Sequence, residues 1–338
     1  MCGIAGLIDF TGKSSLSSLT KMTDVLYHRG PDNGAYKLLN DQYGQIGLGH
    51  RRLSIIDLHT RSNQPMVDST NNYWIVYNGE IYNFNEIKTE LLNLGYDFNS
   101  NSDTEVILNA YIHWGTKAVD KFIGMFAFVI YDKLRQKVLM FRDRAGVKPM
   151  FIYEKDDLIL FSSEIKSFHT DKRFNNEIDT DSLSMFFRNG YIHSPFSIYK
   201  YVRKLIPGHY FEIDLVNKSR VLNKYWDVID AYNKPKLDIS YSEAKSELKK
   251  QLSKAFNYRM VSDVPVGVFL SSGYDSSTTA AVLASTNSNK INTYTIGFNN
   301  SKYDESIYAK KIADHLGTNH TTLHIDENHI EEIVESLP

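Results

Sequence analysis

From Ser240 onward the chain alternates strand and helix, and no other feature narrows its fold as far. Ser240-Tyr241-Ser242-Glu243 fits a capping box. It predicts a helix to about Met260, with Ala244, Leu248, Leu252, Ala255 and Phe256 on one apolar face. A buried strand is expected at 264–270, then the loop Ser271-Ser272-Gly273-Tyr274-Asp275-Ser276-Ser277 and a helix over 278–285. A strand at Asn292–Phe298, a helix over 305–316 stopped by Gly317 and a strand at 321–325 complete the series. Strands separated by helices build βαβ units and a parallel sheet. Ligands of such sheets bind at the carboxyl ends of the strands, where the loop 271–277 lies.

The first half of the 338 residues follows a different pattern. Gly3–Asp9 reads as an apolar strand, and residues 15–27 place Leu16, Leu19, Met22 and Leu26 at helical spacing. Residues 46–48 and 53–56 read as strands flanking Gly49-His50-Arg51-Arg52. A further strand, 73–77, is expected to end at Asn78-Gly79-Glu80. Residues 83–94 form a predicted helix closed by Gly95. Residues 101–105 open a second helix, 106–114, in which Asp103 reads most simply as the N-cap. Hairpins at 126–132 with 137–142, and at 151–153 with 158–163, complete an α+β domain of stacked layers. Residues 171–232 carry a short helix near 181–189 and strands around 199–202 and 209–214. The reading is therefore one domain over 2–165, a joint over 166–235 and a second domain over 236–338, consistent with the length.

Lys plus Arg (38) nearly balance Asp plus Glu (40), so no overall field argues for nucleic acid or a membrane surface. The longest apolar run, 125–131, is too short to span a bilayer. One cysteine excludes an internal disulfide, which fits a reducing, cytoplasmic setting. That cysteine is Cys2, and with Met1 removed it carries an α-amine and a thiol on one residue. The two groups titrate near 8, which makes a self-contained nucleophile and base. A small buried hydrophobe is the competing reading. The hydroxyl-rich loop 271–277, leading into a helix, suits either serine caps or a pyrophosphate. It lacks the lysine of the commoner ATP loop.

Together these segments resemble a known family. Met1-Cys2-Gly3-Ile4-Ala5-Gly6, His28-Arg29-Gly30-Pro31-Asp32, His50-Arg51-Arg52-Leu53-Ser54-Ile55, Tyr77-Asn78-Gly79-Glu80-Ile81-Tyr82-Asn83 and Ser102-Asp103-Thr104-Glu105 are similar, in sequence and order, to class II glutamine amidotransferase domains. Arg142-Asp143-Arg144-Ala145-Gly146-Val147-Lys148-Pro149, Ser163-Glu164-Ile165-Lys166 and Pro207-Gly208-His209-Tyr210 narrow the resemblance to glutamine-hydrolysing asparagine synthetases. The loop 270–277 is similar to that family's Ser-Gly-Gly-x-Asp-Ser signature. The resemblance implies an αββα glutaminase domain of the N-terminal-nucleophile hydrolase type, followed by the start of a parallel α/β domain like the adenine-nucleotide α-hydrolases. Cys2 would attack the carboxamide, Asn78 and the Gly79 N–H would form the oxyanion hole, and Arg52 would hold the glutamine carboxylate. Glu80 and Asp103 would hold its ammonium, with Ile55 and Ile56 lining the same pocket. Leu270, Ser271, Gly273, Asp275, Ser276 and Ile296 would bind ATP, with Mg²⁺ carried in by the phosphates and no protein metal site. The implied small-molecule substrates are glutamine, aspartate and ATP, joined through an aspartyl-adenylate.

Two departures stand out. Ser272 replaces the first glycine of the signature, adding a β-carbon where backbone approaches phosphate. The chain also stops at Pro338, short of the family's usual length. The expectation is an incomplete synthetase: a fragment, an interrupted gene, or a chain that takes its second half from a partner, as a homodimer or with a separate chain. The alternatives are an amidotransferase with another carboxylate or sugar acceptor in polysaccharide synthesis, and a non-catalytic glutamine sensor.

Overall fold

The computed structural model describes residues 2–299, 304–325 and 334. The chain divides into two compact units, Met1–Pro235 and Lys236–Pro338. Among the described residues twelve strands belong to the first: β1 Gly3–Asp9, β2 Asn33–Asp41, β3 Gly44–Arg52, β4 Met66–Val67, β5 Tyr73–Ile81, β6 Gly124–Asp132, β7 Lys137–Arg142, β8 Phe151–Lys155, β9 Leu158–Ser162, β10 Val202–Lys204, β11 His209–Asp214 and β12 Arg220–Lys224. They form two six-stranded sheets, ordered β10-β8-β9-β1-β3-β2 and β12-β11-β7-β6-β5-β4.

Strand β1 shows why the sheets stack. Every one of its residues is buried, so both of its faces are covered. Its side chains alternate across the sheet. Ile4 and Ile8 enter a core shared with Val76, Val129 and Met140 of the second sheet. Ala5 and Leu7 enter another with Met22 and Leu26 in and just after helix α1 (Leu16–Asp24). Fully burying each Ile or Leu stabilises the stack by about 1.5–3 kcal/mol. On the far side, α2 (Phe84–Asn93) and α3 (Asp103–Trp114) pack together, and α3 lies on β5. The unit is a four-layer αββα fold.

In the second unit α7 is Tyr241–Tyr258, the elements between being α4 (Ala118–Lys121), α5 (Thr180–Asn189) and α6 (Val228–Tyr232). The helix α7 begins with the expected capping box at Ser240 and Glu243. Strands β13 Gly267–Phe269, β14 Asn292–Phe298 and β15 Asn319–Ile325 pair in parallel in that order, with α8 (Tyr274–Thr286) and α9 (Ser306–Leu316) as crossovers. Leu270, Ala280, Ala309 and Ala313 form its small core.

Several expectations need correction. Residues 53–56 are not a strand; β3 instead runs on through Gly49-His50-Arg51-Arg52. Asn78-Gly79-Glu80 does not end a strand but lies within β5. The strand near 199–202 lies at Val202–Lys204, and β12 was not anticipated. The strand expected at 264–270 is three residues long and Phe269 is 80% exposed, because β13 is an edge strand paired only with β14. The expected apolar face of α7 contains no buried residue. Helix α8 begins at Tyr274, so Asp275, Ser276 and Ser277 lie in its first turn instead of a loop.

Candidate active site

The register of the first sheet explains how residue 2 meets residue 52. The β1–β3 pairing ends with Gly3 facing Arg51, which leaves residue 2 next to the end of β3. There the Leu53 N–H donates to Cys2 Sγ at 3.4 Å. Cys2, Arg52, Ile55, Ile56, Asn78, Gly79, Glu80 and Asp103 line one cavity of about 310 Å³. Gln64, Tyr77, Thr104 and Lys148, which the sequence reading gave no site role, are among the other residues that line it.

Strand β5 supplies the wall. Its odd-numbered residues turn their N–H groups away from β6, because Phe126, opposite Gly79, spends its own backbone groups on Asp143. Beyond Ile75 no strand covers that edge, since β4 is only two residues long. The Tyr77 N–H donates to Gln64 Oε1 at 2.6 Å and the Ile81 N–H to Asp103 Oδ2 at 3.0 Å. Between them lies the Gly79 N–H, for which no described residue acts as acceptor. Asn78 is 1% exposed, and neither its Oδ1 nor its Nδ2 has a hydrogen-bond partner among the described residues. Gln64 Nε2 donates to Thr104 Oγ1 at 3.1 Å, tying β5 to the start of α3.

Asp103 does not cap α3. Ser102 Oγ does, accepting from the Thr104 N–H at 3.1 Å. The Asp103 carboxylate is free to turn inward, where it accepts from Tyr77 Oη at 2.8 Å. Burial raises its pKa to about 6 against those hydrogen bonds. Burial, then the nearby Asp103 charge, pushes Glu80 up as well. The two carboxylates form an acidic corner that a cation would relieve.

Arg52 is 5% exposed, and its Nη1 donates to His59 O at 2.9 Å and Asn63 Oδ1 at 2.8 Å. Its Nη2 donates to the carbonyls of Ile56 and Asp57. The guanidinium thereby holds the loop carrying Ile55 and Ile56, and burial pushes its pKa down. Burial also raises the Cys2 thiol, opposed by the Leu53 backbone hydrogen bond. Behind the site, burial pushes the neutral His50 down to about 3, and its Nε2–H donates to Tyr77 O at 3.0 Å.

In the second unit Leu270, Ser271, Ser276 and Ile296 line an open cavity of about 510 Å³ together with Glu305. Gly273 and Asp275 stand outside its lining, at the start of α8. Gly273 gives that helix no side-chain cap, so its first N–H groups suit an anion. A Cβ on Gly273 would meet only Ser271 Oγ, at 3.3 Å, which leaves the backbone open to a phosphate. Ser272 bonds Glu305 instead: its N–H and Oγ donate to Oε2 at 3.1 and 2.8 Å.

An unpartnered amide sharing a cavity with the thiol, and an uncapped helix start on a parallel sheet, are the features expected of an amidotransferase domain followed by a nucleotide-type α/β unit. Comparison with known proteins agrees. Residues 1–226 match the family described as glutamine amidotransferase domain, and 247–338 match asparagine synthase. A Methanocaldococcus jannaschii relative is 39% identical, covering 99% of this chain and 67% of its own length. Two Bacillus subtilis proteins, named glutamine-hydrolyzing asparagine synthetases 3 and 1, are each 33% identical across the whole of this chain. The chain spans 57% and 52% of their lengths. A solved structure titled the allosteric regulatory enzyme of purine biosynthesis is 17% identical, with a TM-score of 0.50 over 98% of this chain and 70% of that one. That last likeness is one of fold alone. The chain belongs to the glutamine-hydrolysing asparagine synthetase family.

Proposed function

We propose that Met1–Pro235 is a glutaminase and that its ammonia serves an ATP-dependent synthesis of asparagine from aspartate. The observation that carries the reading is the Asn78 carboxamide, buried and without a partner among the described residues, in the cavity that Cys2 also lines. An orphaned buried polar group costs about 1–3 kcal/mol. A donor kept free beside a nucleophile has its partner only when an oxyanion forms.

The roles follow from position. With Met1 removed, the Cys2 amine takes the thiol proton and the sulfur attacks the glutamine carboxamide. Asn78 Nδ2 and the Gly79 N–H receive the oxyanion, and the departing ammonia takes the proton. Water then cleaves the thioester to glutamate. Arg52 binds the substrate carboxylate, while Glu80 and Asp103 bind its ammonium; Ile55 and Ile56 shape the wall.

In the second unit Leu270 and Ile296 would flank the adenosine of ATP. Ser271, Gly273, Asp275 and Ser276 would hold its phosphates, which would carry the Mg²⁺ in with them. Bound ATP supplies the activation of the acceptor carboxylate as an adenylate. A second acceptor stays in view on one finding. A Penicillium rubens protein named Amidase chyE is 32% identical over 97% of this chain, so kinship of this degree extends beyond proteins named for asparagine.

The test is ammonia release from glutamine by the purified chain, with intact mass to read removal of Met1. Cys2→Ala should abolish release. Full activity in that variant would remove the nucleophile assignment, and no release from processed, folded wild type would favour a sensor. Asparagine formation from aspartate, ATP and glutamine reads the acceptor directly.

A further inference from the structure

Lys148 stands in the Cys2 cavity without a role in that scheme. Its backbone is pinned from both sides. The Asp143 carboxylate accepts from the N–H groups of Ala145, Val147 and Lys148 at 3.1, 2.9 and 2.9 Å, and Arg142 Nε donates to Lys148 O at 2.9 Å. The residue is 4% exposed, yet its ammonium makes no ion pair or hydrogen bond with any described residue. What exposure the residue keeps is toward the cavity it lines, where no direct partner neutralises it.

No nearby charge pairs with it directly. Asp143 is committed to the amides of its own loop. Arg29, from the turn before β2, pairs with Glu164 at 2.9 Å and donates to Cys2 O at 3.0 Å. Glu80 of β5 lines the cavity but forms no ion pair with Lys148. Around the thiol stand Arg52 from β3, Asp103 from α3 and Tyr77 from β5, whose phenol burial keeps neutral. Burial pushes the Lys148 ammonium down, while Glu80 and then Cys2 push it back up.

We propose that Lys148 is a positioning residue for the nucleophile: its ammonium, which lines the Cys2 cavity without a direct partner, supplies a counter-charge to negative charge on the sulfur. Within the glutaminase reading, on which its consequence for turnover rests, the same charge offsets the Asp103 and Glu80 carboxylates that would otherwise disfavour a thiolate.

The experiment is alkylation of the full chain by iodoacetamide as a function of pH, followed by intact mass. Cys2 is the sole cysteine, so the label is unambiguous. Lys148→Met should move the midpoint of the rate profile upward by about one pH unit and slow labelling at pH 7 about tenfold. Lys148→Arg should keep the wild-type midpoint. An unchanged midpoint in Lys148→Met, or an equal shift in Lys148→Arg, overturns the proposal. Replacing a buried charge by an apolar isostere is commonly neutral to folding. If Lys148→Met fails to melt cooperatively, Lys148→Gln is read in its place by the same criteria. A shifted profile in a chain that releases no ammonia from glutamine would sink the glutaminase reading and leave this one standing.

Discussion

Asp103 shows how one side chain can satisfy a local rule on paper and serve a distant one in the fold. A carboxylate at a helix start reads as a cap, but Ser102 takes that task and Asp103 turns to Tyr77 and Ile81. With its pKa raised to about 6, it is largely ionised at pH 7 and protonated below about 6. If it holds the substrate ammonium, the KM for glutamine should rise as pH falls through about 6, approaching tenfold per unit, with kcat changing less. Asp103→Asn should raise KM at pH 7.5 and flatten that limb; a wild-type KM constant from pH 7.5 to 5 would exclude the role. The linked stability has the opposite sense. The folded pKa lies above the unfolded value, so this contribution is fully present below about 4 and is lost as pH rises through about 6. Lys148 and Gln64 were not legible as cavity residues in the sequence. Neither has local spacing that reveals a wall built by chain segments far apart in sequence.

At the level of the element, β5 was half read. Its apolar run is visible, but Asn78-Gly79 has turn composition and reads as the strand's end. The pairing with β6 overrides that composition, because tertiary packing sets strand limits more firmly than propensity does. Gly79 is there for closeness: a Cβ would lie 2.2 Å from Met125 O and 2.7 Å from Phe126 Cα. Gly79→Ala should therefore push β5 from β6 and shift the N–H next to Asn78. A loss of about 1–3 kcal/mol in urea unfolding is expected, with kcat falling more than KM rises. Wild-type stability and kcat in this variant would show that the strands have room to spare. The same antiparallel logic made the meeting of Cys2 and Arg52 hard to foresee. Residues 49–52 read as a connection between strands, whereas their place inside β3 is what brings them opposite β1.

The two units differ in how much they bury. In Met1–Pro235 two sheets enclose cores of Ile, Leu, Val, Phe and Met, with a further layer of helices outside each. In Lys236–Pro338 the buried residues along β14 are Thr293, Thr295 and Gly297, while Tyr294, Ile296 and Phe298 remain at least 40% exposed. Its parallel order was legible from the alternation of strands and helices. The depth of its core was not, since periodicity marks an apolar face without saying what covers it. Apolar burial is the main favourable contribution to folding, so the second unit should have the lower stability. Heating the full chain should give two transitions. The first should lose parallel-sheet signal while the near-UV signal of the aromatic residues buried in Met1–Pro235 persists; the second should lose that signal too. ATP with Mg²⁺ should raise only the first midpoint, by mass action on the unit that binds it. A single transition, or a nucleotide shift in the second midpoint alone, would mean that the units do not unfold separately or that the nucleotide site is wrongly placed.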